Sequence, residues 1–491
     1  MADLNQLKDE RLKKLEALKS LGINPYPAKI NLQGERVSTL EAGWHIDVNQ
    51  DLDKSFLIAG RILSIRGQGK ILFVDIVDES GKFQAVFKQD VLGEKMQPFF
   101  DYIDSGDFIA VTGKLFVTNR GEKSLEVAMW QILTKTLIPM PSNFYGLENE
   151  EELLRKRYLD FALNKSKRDL FYKKALFWKT VREFLDGRGF LEVETPYIET
   201  TTGGAEARPF KTYHNDFELD VYMRISVGEL WQKRLMAGGF TKTFEIGRVF
   251  RNEGSSPEHL QEFTNCEFYW GYADYKDGMK LVRELYIEIA QKVFGKTKFN
   301  IRGHEFELNS HWPEIDYAEE IKSRTGVDIF NTSVDEMKTK LIELNVKWEG
   351  ENLERLTDTL WKYCRKQISG PAFLVNHPLI VSPLAKPTES SNHRTAQMFQ
   401  PIIGGSEIGR GYSELNDPIL QIENFKQQQK LLESGDEEAM MPDWEFAEML
   451  EYGMPPTCGY GFGERLFAFL AELPIRETQL FPLVKPKKHD M

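Results

Sequence analysis

The stretch "TFEIGRVFRNEGSSPEHLQEFTNCEFYWG", from Thr243 to Gly271, decides how the larger part of the chain folds. Two strand-like runs, "TFEIGRVF" and "FTNCEFYWGY", flank "EGSSPE", whose serines, glycine and proline are turn chemistry, so the stretch predicts an antiparallel hairpin. Such a hairpin can aim Arg251, at the end of the first strand, and Phe263, at the start of the second, into one cleft. A guanidinium fork grips a phosphate or carboxylate through two parallel hydrogen bonds, and a phenyl face can cover a base. Arginine and phenylalanine also share many ordinary strands, and on this stretch alone an ordinary hairpin stands beside a ligand clamp.

Outward from the hairpin, "KSKRDLFYKKALFWKTVREFLDGRGFLEVETP" reads as a long amphipathic helix closed by glycines and followed by a strand that ends at Pro196. Strand-like and helical stretches then alternate to the end, the pattern of a sheet flanked by helices. Residues from about 277 to 370 read as mostly helical, with a hairpin at "KFNIRGHEFELN". Toward the N-terminus the character changes. Leucines 4, 7, 12, 15 and 18 recur near helical spacing up to Gly22, and from about Phe56 to Lys135 five short alternating strands predict a small barrel of the oligonucleotide-binding (OB) type. A barrel of unrelated purpose has the same pattern. The expected domains are therefore an N-terminal helix and barrel over 1–135, a Pro- and acid-rich linker over 136–152, and an α+β domain over 153–491.

Composition narrows the function classes. A chain of 491 residues exceeds what one hydrophobic core usually serves. The mixed-charge start and the lack of any long apolar run predict a cytoplasmic protein without a membrane anchor. Three widely spaced cysteines, Cys266, Cys364 and Cys458, fit neither a disulfide framework nor a zinc ligand set and read as buried thiols. A formal net charge of −12 argues against indiscriminate binding of polyanions, while leaving room for a local basic face such as "RKRYLDFALNKSKRD".

Two further constellations carry chemistry. In "GGSEIGRGYSELNDP" the carboxylates of Glu407 and Glu414 lie seven residues apart, an odd separation that points them to opposite faces of a regular strand. A bulge or turn at Gly409 or Gly411 would bring them together, and hard oxygen ligands of this kind suit Mg²⁺ on nucleotide phosphates; exposed strand-edge glutamates are the alternative. In "PPTCGYGFGERLFAFL" a glycine-rich turn runs into a helix with Arg465 in its first turn. No parallel-strand unit surrounds it and the chain has no GxxxxGK[ST] loop, so the glycines suit close approach of backbone and Arg465 to a flat ligand.

In this order the pieces resemble the signature motifs of class II aminoacyl-tRNA synthetases: "GFLEVETPYI" as motif 1, "FRNEG" through "HLQEFTNCEFY" as motif 2, and "GYGFGERLFAFL" as motif 3. Within that class the chain resembles bacterial-type lysyl-tRNA synthetases nearly end to end, through "GRILSIRGQGKILFVDIVDESG", "TTGGAEARPFKTYHN", "ELWQKRLMAGG", "SELNDP" and "LFPLVKP". The resemblance implies an α+β fold, with an N-terminal five-stranded OB-type barrel that binds the anticodon and a catalytic domain built on an antiparallel sheet flanked by helices. It also implies a homodimer, with L-lysine, ATP and tRNA(Lys) as substrates and Mg²⁺ as cofactor.

Residue by residue, the resemblance implies that Arg251 and Arg465 are catalytic and that Arg251, Glu253, His259, Phe263, Glu407 and Arg465 hold ATP. Gly203, Gly204, Glu229, Glu267, Tyr269 and Glu414 would hold lysine, Glu407 and Glu414 the metal, and Arg66, Phe73 and Gln84 the anticodon. Glutamates at the amino-acid end suit an ammonium, whereas an aspartate-activating relative would want cations there. The sequence departs from the family pattern at four places: one extra residue between Arg224 and Glu229, Arg410 where asparagine is common, Met129 in place of an anticodon-contacting glutamate, and "GER" for "GDR" at Glu464. The competing reading is a catalytically silent homologue that binds RNA or regulates. Its usual mark is loss of the motif 2 or motif 3 arginine, and both are present.

Overall fold

The computed structural model describes residues 4–486 apart from 51, 68, 142–149, 205–206, 255, 257–258, 349, 351, 380–383, 390–393 and 434–439. Residues 142–149 of the expected linker and part of the "EGSSPE" turn lie outside the described residues. The chain divides into two compact units, 1–165 and 166–491. Among the described residues no helix is long and apolar enough to cross a membrane.

In the first unit five strands close a ring: Phe56–Arg66, Ile71–Val77, Lys82–Lys88, Lys123–Thr134 and Phe108–Val117, the last pairing back onto the first. Closure removes the exposed edges that an open sheet of this size would present. Side chains alternate across the ring wall, so Leu72, Val74 and Ile76 face a core shared with Phe56, Ile58 and Ile62, while Phe73 and Asp75 face outward. The short helix Met96–Tyr102 packs against the barrel through Phe99, whose ring lies 4.0 Å from that of Phe87. A two-residue strand, Glu35–Arg36, adds in parallel to Phe56–Leu57, a pairing too short for sequence periodicity to show.

The second unit is built on a large sheet whose spatial order is Glu314–Asp316, Ala372–Val375, Met398–Ile403, Arg410–Ser413, Thr457–Gly463, Glu262–Gly271, Lys242–Phe250 and Leu191–Glu192. The six inner strands are antiparallel; the two outermost pairings are parallel. The expected hairpin forms in register, with Val249 opposite Phe263 and Glu245 opposite Glu267. The helices Lys165–Asp186 and Tyr275–Ile289 cover one face, burying Phe177, Val181, Val282 and Tyr286 against Phe244, Phe268 and Tyr460. Asp274 caps the second helix by accepting from the amides of Lys276 and Asp277, which satisfies donors that a helix start otherwise leaves open. Helices Tyr317–Thr325, Val334–Glu343 and Leu353–Arg365 form a satellite core around Trp361, and the hairpin at Lys298–Glu307 turns through Arg302 and Gly303, both at positive φ. All three cysteines are free and buried.

Candidate functional site

The sheet face opposite those helices holds a cavity of about 550 Å³, and the register of three adjacent strands makes its floor. In the middle strand, "TCGYGFG", the even positions Cys458, Tyr460 and Phe462 pack into the core, and the odd positions Gly459, Gly461 and Gly463 lie under the cavity. Opposite these glycines stand Tyr269, Glu267 and Asn265 on one neighbouring strand, and Tyr412 and Arg410 face Gly459 and Gly461 from the other. A Cβ on Gly459 would lie 2.0 Å from Glu414 Oε1, one on Gly461 3.0 Å from Glu267 Cγ, and one on Gly463 2.6 Å from Asn265 Oδ1. The glycines therefore let side chains from both neighbours lean over the middle strand.

At one end Arg251 reaches in from the hairpin. Its amide donates to Gln261 O at 2.8 Å, its guanidinium makes two long contacts of 3.3 Å to Ile225 O, and its carbon Cζ lies 5.3 Å from the centre of the Phe263 ring. Burial lowers its pKa, opposed by Glu253 and Glu267. Glu253, His259, Phe263, Arg410 and Arg465 line the same end. His259 Nδ1 shares a 2.7 Å hydrogen bond with Ser256 Oγ. Arg465 opens the short helix Arg465–Leu470, and the buried Glu464 before it accepts from the Thr264 amide at 3.1 Å and pairs with Lys174, which ties the helix start to the hairpin. The longer carboxylate of "GER" thus has partners of its own.

The other end is acidic and buried. Glu267 accepts from the Val227 amide at 2.8 Å and from Tyr269 Oη at 3.2 Å. Glu229 starts the helix Glu229–Ala237; Gly228 before it adopts φ +66°, and a Cβ there would come within 2.1 Å of Thr195 Oγ1. This left-handed glycine lies in the segment that carries the extra residue, and Glu229 still lines the cavity beside Gly204, itself at φ +87°. Gly203 is not on the cavity wall; its carbonyl accepts from Ser226 Oγ at 3.0 Å. Burial first, and then the neighbouring Glu229 charge, push the pKa values of Glu267 and Glu414 upward.

Glu407 and Glu414 both line the cavity, because Gly409 at φ +112° breaks the strand alternation between them. Glu407 Oε1 accepts from Trp361 Nε1 and lies 3.7 Å from Arg365 Nε. Glu414 Oε2 lies 2.5 Å from Lys233 Nζ, while its buried Oε1 has no hydrogen-bond partner. Among the described residues no three His, Cys, Asp or Glu side chains cluster as a metal cage. Two carboxylates on one cavity wall are the donor chemistry that Mg²⁺ takes alongside phosphates and water.

Three residues that the sequence reading did not single out complete the site. Lys233 sits behind Glu229 and Glu414, Tyr412 donates its hydroxyl to Glu229, and Trp361 holds Glu407. The i,i+4 spacing of Glu229 and Lys233 in "ELWQK" and the i,i+2 spacing of Tyr412 and Glu414 were the available signals.

On the barrel, Arg66 pairs with Phe73 across the strands and Asp75 with Gln84, so the three expected anticodon residues share one outer surface. Arg66 forms a forked pair with Asp75, at 2.5 Å and 3.0 Å, and buried Gln84 Oε1 has no hydrogen-bond partner. Met129 is exposed and stands opposite Thr112.

Comparison with known proteins agrees with this geometry. The family model for class II tRNA synthetases (D, K and N) matches residues 149–485, and that for the OB-fold nucleic acid binding domain matches residues 56–133. Among curated proteins, lysine–tRNA ligase of Thermotoga maritima is 41% identical over 496 residues, spanning 99% of this chain and 97% of that protein. The lysine–tRNA ligases of Thermosipho africanus and Clostridium acetobutylicum are each 40% identical, covering 98% and 99% of this chain and 97% and 95% of their own lengths. The chain belongs to the class II aminoacyl-tRNA synthetases and, within them, to the lysine–tRNA ligases.

Proposed function

We propose that the protein joins L-lysine to tRNA(Lys) in two steps, through lysyl-adenylate, and that the residues named above divide the work. The observation that carries this reading is a single glycine-floored cavity with arginines at one end and three buried glutamates at the other. Arg251 holds the α-phosphate and the lysine carboxylate together, so that a carboxylate oxygen attacks phosphorus in line as the bond to the leaving pyrophosphate breaks. Phe263 and Arg465 cover the two faces of the adenine, with Glu253 and His259 on the rest of the nucleotide. Glu407 and Glu414 would hold Mg²⁺, which neutralises phosphate charge when bound.

Glu229 and the backbone at Gly204 receive the α-ammonium, a role that Gly203, off the cavity wall, does not take; Glu267, Tyr269 and Glu414 receive the ε-ammonium. In the second step a hydroxyl at the 3′ end of tRNA attacks the lysyl carbonyl of the adenylate, the ester forms and AMP leaves, while Arg66, Phe73 and Gln84 read unstacked anticodon bases by hydrogen bonding and stacking. A tRNA substrate puts the enzyme in the cytoplasm. A homodimer is supported by large apolar side chains left exposed around the motif 1 segment, Tyr172, Leu176, Leu191 and Ile198, and sedimentation equilibrium tests it.

The test of activity is ATP–pyrophosphate exchange with lysine, aspartate, asparagine or no amino acid, followed by charging of tRNA(Lys). Exchange with lysine alone, then charging, is the expected result. A folded protein that exchanges with none would sink the reading in favour of a silent homologue.

A further inference from the structure

Lys233 does not line the cavity, yet it touches two of the three buried glutamates at its acidic end. It lies one helical turn after Glu229, is 1% exposed, and places Nζ 2.7 Å from Glu229 Oε1 and 2.5 Å from Glu414 Oε2. The rings of Tyr412 and Phe446 lie 5.5 Å and 5.8 Å from the same nitrogen. The outer oxygens remain turned to the ligand side: Glu229 Oε2 is beside Gly204 and Glu414 Oε1 beside Gly459, both glycines of the cavity wall.

We propose that Lys233 is a built-in counter-ion that sets the charge of the amino-acid end of the cavity, tuning it to an amino acid with two ammonium groups. The inference rests on the lysine-activating reading above. Three buried carboxyl groups, Glu229, Glu267 and Glu414, share this end, and Lys233 is a cation already in contact with two of them. The α- and ε-ammonium groups of lysine add two more cations, while its carboxylate goes to Arg251 at the opposite end. A monoammonium amino acid adds one cation fewer, which leaves the buried carboxyl groups less compensated at a cost in a low-dielectric site. Lys233 is a positioning residue: it binds the inner oxygens and thereby presents the outer ones.

The test is Lys233→Met, which keeps the length of the side chain and removes its charge, assayed by ATP–pyrophosphate exchange and by calorimetric lysine binding. The expected result is a lysine KM raised tenfold or more, with the KM for ATP within threefold of the parent. In Lys233→Ala, added propylammonium should lower the lysine KM again and equimolar propanol should not, because only the former restores the charge. If the Met variant does not fold, Lys233→Gln, which can still contact both carboxylates, carries the same comparison. An unchanged lysine KM, equal rises for lysine and ATP, or loss of folding in both variants would overturn the proposal. Parent protein that binds lysine without exchange would instead refute the activation reading alone, and the counter-ion is then judged on lysine binding.

Discussion

Gly459→Ala tests the amino-acid end of the cavity with a single methyl group. The new Cβ would stand 2.0 Å from Glu414 Oε1 and 2.7 Å from Tyr269 Cε1, so the carboxylate must retreat by at least 1.0 Å to reach even a tight 3.0 Å contact. Its other oxygen is held at 2.5 Å by Lys233, and Glu414 and Tyr269 both line the cavity, so a displaced carboxylate intrudes on the space that lysine would fill. Removing a partner from a buried charge pair costs about 3–5 kcal/mol, and displacing one forfeits roughly half to most of that. A loss of about 2–3 kcal/mol corresponds to a lysine KM raised roughly 30- to 150-fold. Overpacking should also cost about 1–3 kcal/mol of stability, visible as a lowered melting temperature. Exchange kinetics with lysine and ATP varied separately should therefore show the effect on lysine, with the KM for ATP within about threefold of the parent. A folded variant whose lysine KM lies within about threefold of the parent would refute the placement of lysine against Glu414.

Arg251→Gln should fold, since the guanidinium makes only two 3.3 Å contacts to Ile225 O, yet lower the exchange rate by about 10²–10³ or more through loss of charge at the α-phosphate. Phe73→Ala should leave exchange unchanged and raise the KM for tRNA in charging by roughly 5- to 150-fold, the loss of about 1–3 kcal/mol of base stacking. Glu199, which accepts from Trp231 Nε1 at 2.8 Å, has its pKa pushed up to about 7, by burial first, with that hydrogen bond opposing. The unfolded chain releases this proton near pH 4.3, so between there and pH 7 the folded state binds more protons and stability falls as pH rises, by at most about 4 kcal/mol. Glu199→Gln keeps an acceptor for Trp231; its melting temperature should lack this decline and exceed that of the parent above pH 8.

The hairpin was legible because its signals agree: strand residues in alternation, turn residues between, and a functional side chain at each strand end. The site residues read from the motifs gather on one sheet face because they obey period 2. Phe263, Glu267 and Tyr269 share parity, and the exception, Glu407 with Glu414, was marked by its glycines. Lys233 was not legible as a core residue, because a lysine in a charged helix reads as solvated, and only the distant Glu414 turns its face inward. The parallel edge strands, Leu191–Glu192 and Glu314–Asp316, are too short for any periodicity to register, and long-range partners rather than local pattern define them.

Both halves of the reaction depend on where the charges stand before any substrate arrives. The arginine end draws its geometry from the hairpin and from the helix start at Arg465, and Glu464 links these two elements through the Thr264 amide and Lys174. The acidic end draws its geometry from the helix of Glu229 and from the strand that leads into Glu414, joined by Lys233 and Tyr412. Each end is thus braced by a lysine that does not line the cavity, Lys174 behind Glu464 and Lys233 behind Glu229 and Glu414, and the two ends face each other across the glycine floor. A floor without side chains lets a ligand span both ends at once, so that binding energy gained at the ammonium pocket can be spent on aligning the carboxylate with phosphorus. Shortening the amino acid should therefore lower kcat as well as affinity: ornithine, one methylene shorter, cannot fill the acidic end and reach Arg251 together. Comparing kcat for exchange with lysine and ornithine at saturation separates this from a pocket that merely binds, in which only KM would change.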